Sequence, residues 1–365
     1  MIVSWITIYY SNTTVYSFKK EYLKNASLPI IFLLIHTLFV YMLFGNEPNF
    51  LRILPSIGLF GILISTSFMF VKFVANTKDA HVFETVKILF YLMLTVGYLS
   101  VILIKYNLAP VYTKSMLFYS EPSHFSMVFT PIALAYLYFL DVKYKLLYIL
   151  LLLILGILLP NLSLLVGTFI IMFCILEVKY LITAVFTGIT ILTLFPSDIL
   201  YYISTRINFF TATSHDDNLS VLVYLSGLER GYLDFIHSYG LGIGFNNFGY
   251  MGPTGEYTAM AMQAMHGFLL CFNDGSFLFG KVLGELGIIG IILTLIYVYY
   301  LIKTLVTFKS SKLKKSKDIF FSSFFILFSS YMFVRGMGYF SPFTFMFASS
   351  IYWYYLESSN RKRHE

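Results

Sequence analysis

The chain has 365 residues and a formal net charge of +7, yet only 12% of its residues are charged and 58% are hydrophobic. Soluble domains carry about 25% charge, so composition excludes a soluble globular protein. Continuous apolar runs, in place of short alternating segments, exclude a membrane β-barrel.

In chain order, residues 1–10 are apolar but lack the basic start and small-residue cleavage site of a secretory signal. They read as an interfacial segment or a weak extra span. Ten spans are then predicted, at about 28–44, 53–74, 86–104, 124–140, 146–159, 162–176, 180–196, 278–302, 319–334 and 341–356. The run from Ile53 to Val74 matches the ~30 Å hydrocarbon core. Pro160-Asn161 separates a short pair of spans. The expected fold is all-α, a polytopic integral membrane protein forming a single membrane domain over 1–365, with one large loop at 197–277. Cys174 falls in a predicted span and Cys271 in that loop, so no disulfide is expected.

The lysines orient the chain. Lys303, Lys309, Lys312, Lys314, Lys315 and Lys317 crowd one loop, which the positive-inside rule puts in the cytoplasm. Counting back, Lys179, Lys143, Lys145, Lys78 and the group Lys19, Lys20 and Lys24 fall on the same side, as does the tail Arg361-Lys362-Arg363. Both termini are then cytoplasmic, and loop 197–277 lies outside with 45–52, 105–123 and 335–340. This placement of the basic residues points to a lipid bilayer, with no nucleic acid as partner. The remaining arginines, Arg52, Arg206, Arg230 and Arg335, all fall outside. Their planar forks of donors suit phosphate and carboxylate better than lysine does.

Three polar clusters could carry chemistry. Ser120-Glu121-Pro122-Ser123-His124 opens the fourth predicted span. Pro122 suits a first helical turn, and Glu121 and His124 are spaced to share a face. Simple capping is the plainer reading, but a carboxylate beside an apolar span is functional by default. The second cluster is the large loop. It carries Arg206, then Arg230, with Asp234 and His237 on the same side of a helix if 229–238 is helical. Gly240, Gly242 and Gly244 let backbone approach a ligand closely. Asn246 and Asn247 offer amides of the kind that read sugar hydroxyls. The third is His266, a candidate proton acceptor, followed by Asn273-Asp274-Gly275-Ser276, which reads first as an N-cap to the next span. In that span Gly280, Gly284, Gly287 and Gly290 predict a face for close helix packing, and Lys281 and Glu285 are spaced to pair. Asp216-Asp217 beside His215 reads as a solvated loop, so no metal is expected. Arg335 would either reach lipid headgroups or close the site from the opposite side.

Glu121-Pro122-Ser123, Leu228-Glu229-Arg230-Gly231 leading into Gly240 through Gly249, and Asp274-Gly275-Ser276 running into Gly284-Glu285-Leu286-Gly287 resemble the O-antigen polymerase (Wzy-type) family, within the group that includes O-antigen ligases. The resemblance spans about the last two-thirds of the chain. It implies a metal-independent inverting glycosyltransferase of the bacterial inner membrane, needing no cofactor. Such an enzyme joins oligosaccharide repeat units carried on undecaprenyl pyrophosphate at the periplasmic face, alongside a chain-length regulator protein. The resemblance also implies functional periplasmic arginines, for which Arg206 and Arg230 are the matching positions. Glu121, with His266 as the other candidate, would take the hydroxyl proton, and His124, Arg335, Asn246, Asn247 and Asp274 would bind substrate. Ligases carry a histidine–asparagine pair where this chain has Asp274-Gly275-Ser276, which favours polymerase over ligase. A lipid-linked oligosaccharide flippase is the alternative of a different class, disfavoured because charges are scarce inside the predicted spans.

Sidedness is testable directly. With Cys174 and Cys271 replaced, a membrane-impermeant thiol reagent is expected to label Tyr232→Cys in intact cells and to leave Ser311→Cys unlabelled. The reverse pattern would reject the orientation.

Overall fold

The computed structural model describes residues 15–44, 49–105, 117–119, 121–159, 161–182, 219–264, 267, 272–310 and 315–364. Arg206, His266, the Asp216-Asp217 pair and most of the seventh predicted span lie outside these. Among the described residues the chain is helical with no strand; one isolated bridge joins Phe248 and Met251. The helices are α1 (Val15–Phe44), α2 (Phe50–Asn76), α3 (Asp79–Lys105), α4 (Pro122–Leu137), α5 (Val142–Leu158), α6 (Leu162–Ile175), α7 (Leu219–His237), α8 (Glu256–Ala264), α9 (Leu278–Lys309), α10 (Ser316–Phe333) and α11 (Pro342–His364). Among them Ser27–Phe44, Phe50–Asn76, Asp79–Leu103 and Leu278–Lys309 are long and apolar enough to cross a membrane.

The chain divides into two compact units built from separated stretches. The first comprises Met1–Thr77, Leu222–Tyr300 and Gly336–Glu365, and the second Lys78–Val221 and Leu301–Arg335.

In the first unit α2 packs against α1 and α11. Gly61 leaves room for the Ile30 side chain, and the Ser67 hydroxyl donates to the Phe345 carbonyl at 3.0 Å. Helix α7 crosses the start of α9 at backbone range. A Cβ at Gly227 would collide with the Gly275 carbonyl, and one at Gly231 with the Gly280 carbonyl. The predicted packing face of Gly280 and Gly284 is therefore real, but it does not continue. Gly287 has φ 57° and ψ −131°, outside the helical region, and breaks α9 in two. Gly290 then approaches the Val282 carbonyl, which a straight helix would hold two turns away. The limb beyond the break, about 22 residues at 1.5 Å each, still reaches ~33 Å.

In the second unit α4 is the centre. From Phe125 to Leu137 it is buried except at Val128, packed among α3, α6 and α10. Gly167 of α6 closes onto Thr130. Asn161 caps α6 by accepting the Leu164 N–H at 3.2 Å and donates to the Pro122 carbonyl at 2.6 Å. The Asp79 carboxylate, at the start of α3, accepts the Ser316 and Lys317 N–H groups at 2.8 and 3.1 Å and so caps α10. Helix ends that the lysine pattern assigns to one side lie together: α3 with α10 beside Lys78 and Lys315, and α4 with α6 at Pro122 and Asn161.

Candidate functional site

The glycine-rich stretch after α7 turns along the first unit. Tyr239, Asn246 and the glycines 240, 242, 244 and 249 all have positive φ. At Gly242 this freedom is joined to close approach, because a Cβ there would strike the Glu285 carbonyl. The segment was expected in an outer polar loop. Instead its residues 241–245 lie against the middle of α1, a helix apolar enough to span: the His36 Nε2 lies 3.0 Å from the Leu241 carbonyl, and the Phe245 N–H donates to the Thr37 hydroxyl at 3.1 Å.

Non-helical backbone in an apolar layer must have its polar groups satisfied by protein. Here they are. The Gly242 N–H donates to the Ser238 hydroxyl at 2.7 Å, Ile243 N–H to the Gly284 carbonyl at 2.9 Å, and Gly244 N–H to the Glu285 carbonyl at 3.0 Å. The Gly240 carbonyl accepts the Ile288 N–H at 2.8 Å, across the break in α9. The Glu285 carboxylate, fully buried, accepts the Asn246 N–H at 2.8 Å on one oxygen and the Phe248 N–H at 2.9 Å on the other. Lys281, one turn earlier, neutralises it at 3.4 Å and also donates to the Asn273 carbonyl and the Asn246 side-chain oxygen. The predicted Lys281–Glu285 pair is present, and it anchors this loop.

The two asparagines expected to read sugar are occupied by protein. Asn247 is fully buried. Its oxygen accepts from the Tyr41 hydroxyl at 3.1 Å and from the Arg52 guanidinium, and its amide donates to the Ile243 carbonyl at 2.8 Å. Asn246 donates to the Ser56 hydroxyl at 2.7 Å and accepts from Lys281. Both are scaffold, and Arg52, whose guanidinium also sits 3.9 Å above the Tyr250 ring, belongs to the same scaffold. Asp274 is exposed beside Gly338. Ser276 does not cap α9: its hydroxyl is buried without a partner, while its carbonyl accepts the Gly336 N–H at 2.7 Å.

Arg230 and Asp234 are one turn apart on α7, 3% and 0% exposed. Arg230 stacks its guanidinium 3.7 Å from the Phe272 ring centre and 5.5 Å from that of Phe248. One nitrogen makes a long contact to the Met251 carbonyl at 3.4 Å, while Nε and Nη1 have no hydrogen-bond partner among the described residues. Both oxygens of Asp234 are likewise without one, held between Gly252 and Gly284. Burial pushes the Asp234 carboxyl up to about 8, against the pull of Arg230, with Glu285 adding to the rise. Burial also lowers Arg230 from its ordinary value, with Asp234 raising it part of the way back; arginine still stays charged. His237, expected on this face, is exposed and points elsewhere. Neighbouring Glu229 caps α8, accepting the Glu256 and Tyr257 N–H groups at 2.9 Å each.

In the second unit Arg335 pairs with Glu121 at 3.0 Å, and Ser123 donates to the same carboxylate oxygen at 2.9 Å. Arg335 thus meets a carboxylate where headgroups or a ligand were expected. Partial burial alone would raise Glu121, but Arg335, Ser123 and His124 outweigh it and hold the carboxyl below its ordinary value. His124 is half-buried in the first turn of α4. The pair is partly exposed, so it adds no more than about 1 kcal/mol to stability.

Sequence alone places Asp234 on the helical side of Arg230, pairs Glu285 with Lys281 and counts Arg52 among the outer arginines, but it gives none of the three a part in the site. The i, i+4 spacing of Arg230 with Asp234 was a usable signal for the first, and that of Lys281 with Glu285 for the second. Nothing in the sequence links Arg52 to Asn247. No family model matches the chain, and neither a curated protein nor a solved structure does.

Glu285→Gln leaves Lys281 buried without its counter-charge and weakens the grip on the loop. Breaking a buried pair from one side costs about 3–5 kcal/mol. A clear drop in the thermal unfolding midpoint in detergent is expected, with partial recovery in Lys281→Met/Glu285→Gln. A single variant as stable as wild type would show that the pair does not hold the loop.

Proposed function

We propose that this chain is a polysaccharide polymerase: a glycosyltransferase that joins undecaprenyl-pyrophosphate-linked oligosaccharide repeat units at the periplasmic face of the bacterial inner membrane. The observation that carries the reading is Arg230, a buried arginine with two unpartnered guanidinium nitrogens on a helix braced by the glycine-rich segment. Buried donors are normally satisfied, so an unsatisfied guanidinium suits an incoming oxyanion. The four apolar helices support a bilayer-resident substrate. The meeting of helix ends that share a side in the lysine pattern supports the assumed sidedness.

In the proposed reaction the acceptor sugar's hydroxyl oxygen bonds to the anomeric carbon of the donor. The bond from that carbon to the diphosphate oxygen breaks, and its electron pair stays on the diphosphate. Arginine positioned at the leaving oxygens stabilises the growing negative charge, a role assigned to Arg230 and, by the resemblance, to Arg206. The hydroxyl proton passes to a base. Within the second unit, Glu121 is the carboxylate that the sequence reading offers for such a role, and Arg335 helps hold it ionised while lowering its basicity.

Arg230→Ala is expected to leave lipopolysaccharide with single repeat units at unchanged protein level; long ladders of wild-type intensity would remove Arg230 from the reaction.

For Glu121→Gln, elongation of lipid-linked repeats by the purified protein is expected to fall at least about 100-fold, the usual scale of lost acid–base catalysis. Full activity would reduce the Glu121–Arg335 pair to a structural tie. Supplying no lipid A–core acceptor in this assay also separates polymerase from ligase, since only a polymerase elongates without it.

A further inference from the structure

Around Glu285 the Ile243, Gly244, Asn246 and Phe248 N–H groups all have acceptors. One helix away, Arg230 Nε and Nη1 and Asp234 Oδ1 and Oδ2 have no hydrogen-bond partner among the described residues, at 3% and 0% exposure. A carboxylate that receives no hydrogen bond and no solvent is strongly disfavoured in its charged form. Although Arg230 is one turn away, no ion pair joins the two. With its proton kept, Asp234 presents an O–H donor beside the two free guanidinium nitrogens, Nε and Nη1. Such a set fits a ligand made of acceptor oxygens.

We propose that Arg230 and Asp234 form a buried site for one diphosphate group, in which Arg230 supplies the charge and Asp234, protonated, supplies a further hydrogen-bond donor. Gly252 and Gly284 form its walls, since any Cβ there would press on the Asp234 carboxyl. The Phe272 ring lies over the guanidinium. Asp234 is here a specificity-determining residue, not a base. That the diphosphate is lipid-linked rests on the polymerase reading; the site itself does not.

The charged and titratable groups facing Asp234 are Arg230 on its own helix and Glu285 on α9, the latter held by Lys281; the Met251-Gly252 turn brings only backbone. Burial, opposed by Arg230 and reinforced by Glu285, keeps the carboxyl neutral up to about pH 8. Above that it ionises, the donor is lost and a negative charge faces the ligand, so affinity falls with rising pH. The sign is opposite to that of a carboxylate base, whose activity rises as it ionises.

The test is calorimetric titration of the full-length protein in detergent with farnesyl diphosphate, and separately with inorganic pyrophosphate, from pH 7 to 9.5. Wild-type affinity for farnesyl diphosphate should fall at least about tenfold over that range, as one lost proton dictates. Asp234→Asn, which keeps the shape and a donor, should bind with affinity constant to within about twofold. Arg230→Ala should lose binding of both probes. Infrared spectra should show a carboxylic C=O band that disappears above about pH 8 in wild type and is missing in Asp234→Asn, a readout independent of ligand and of activity. Tighter binding of the farnesyl compound than of pyrophosphate assigns the site to a lipid carrier; equal binding keeps the site and assigns it to a soluble diphosphate. No binding by wild type, or the same pH slope in Asp234→Asn, would overturn the proposal. Binding with this pH dependence but no polymer formation would sink the polymerase reading and leave the site standing.

Discussion

A buried carboxylate on a broken helix holds the first unit together. Glu285 sits one residue short of the helical limit of the first limb of α9 and takes two backbone N–H groups from the loop, one on each oxygen. A neutral side chain could accept both bonds only weakly. A charged acceptor makes each about 1.5–3 kcal/mol, at the cost of bringing a charge out of water. Lys281 offsets that cost from the preceding turn. The break at Gly287 is the other half of the arrangement. Ending the helix there frees the carbonyls of Gly284 and Glu285, which then accept the Ile243 and Gly244 N–H groups. Without the break, the Ile243 and Gly244 N–H groups would lose these acceptors.

The same logic explains why so many side chains from α1 and α2 turn toward this loop. His36, Thr37, Tyr41, Arg52 and Ser56 each meet a backbone or amide group of residues 241–247. Every one of them would be a liability on a helix facing lipid, and each is explained by a loop atom that needs it. The loop is tied to α1 and α2 in consequence, and α7 is wedged against the start of α9 through Gly227 and Gly231. A guanidinium carried on such a helix is held in place without being used up by the structure that holds it.

Much of the helical layout was legible in the chain. The predicted spans at 53–74, 162–176 and 319–334 fall within two or three residues of α2, α6 and α10, because apolar runs, caps such as Asn161 and charged loops are local signals. The Lys281–Glu285 pair was legible for the same reason: i, i+4 spacing is a property of the sequence. Gly287 was not. In sequence it extends a glycine stripe, and only the arrival of the Gly240 carbonyl from 47 positions earlier makes it a break. Asn246 and Asn247 misled for a related reason. Asparagine offers the same donors and acceptors to a sugar as to a backbone, and which of the two it meets is decided by Tyr41, Arg52 and Ser56, about 200 residues away. The residues from 228 to 249 and from 284 to 287 meet in the buried polar cluster, but nothing in their sequence says which polar atoms there are already spent.

The residue types at 230 and 281 follow from this difference. Lys281 bears a compact charge and lies buried only because Glu285, Asn246 and the Asn273 carbonyl surround it. An ammonium with fewer partners would lose its proton in such a place. Among the described residues Arg230 has one long contact to a carbonyl, two phenylalanine rings and the field of Asp234. Its charge is spread over a plane that the rings can face, and it does not deprotonate. Arginine is therefore the one cation able to wait there, charged and unpaired. A lysine at 230 would either recruit Asp234 as an ion-pair partner or go neutral, and in both cases the site would lose the net positive charge that an oxyanion seeks. Lys281 has its charge answered by Glu285, whereas Arg230 keeps its charge against two rings and one carbonyl, with no answering hydrogen bond to a carboxylate among the described residues.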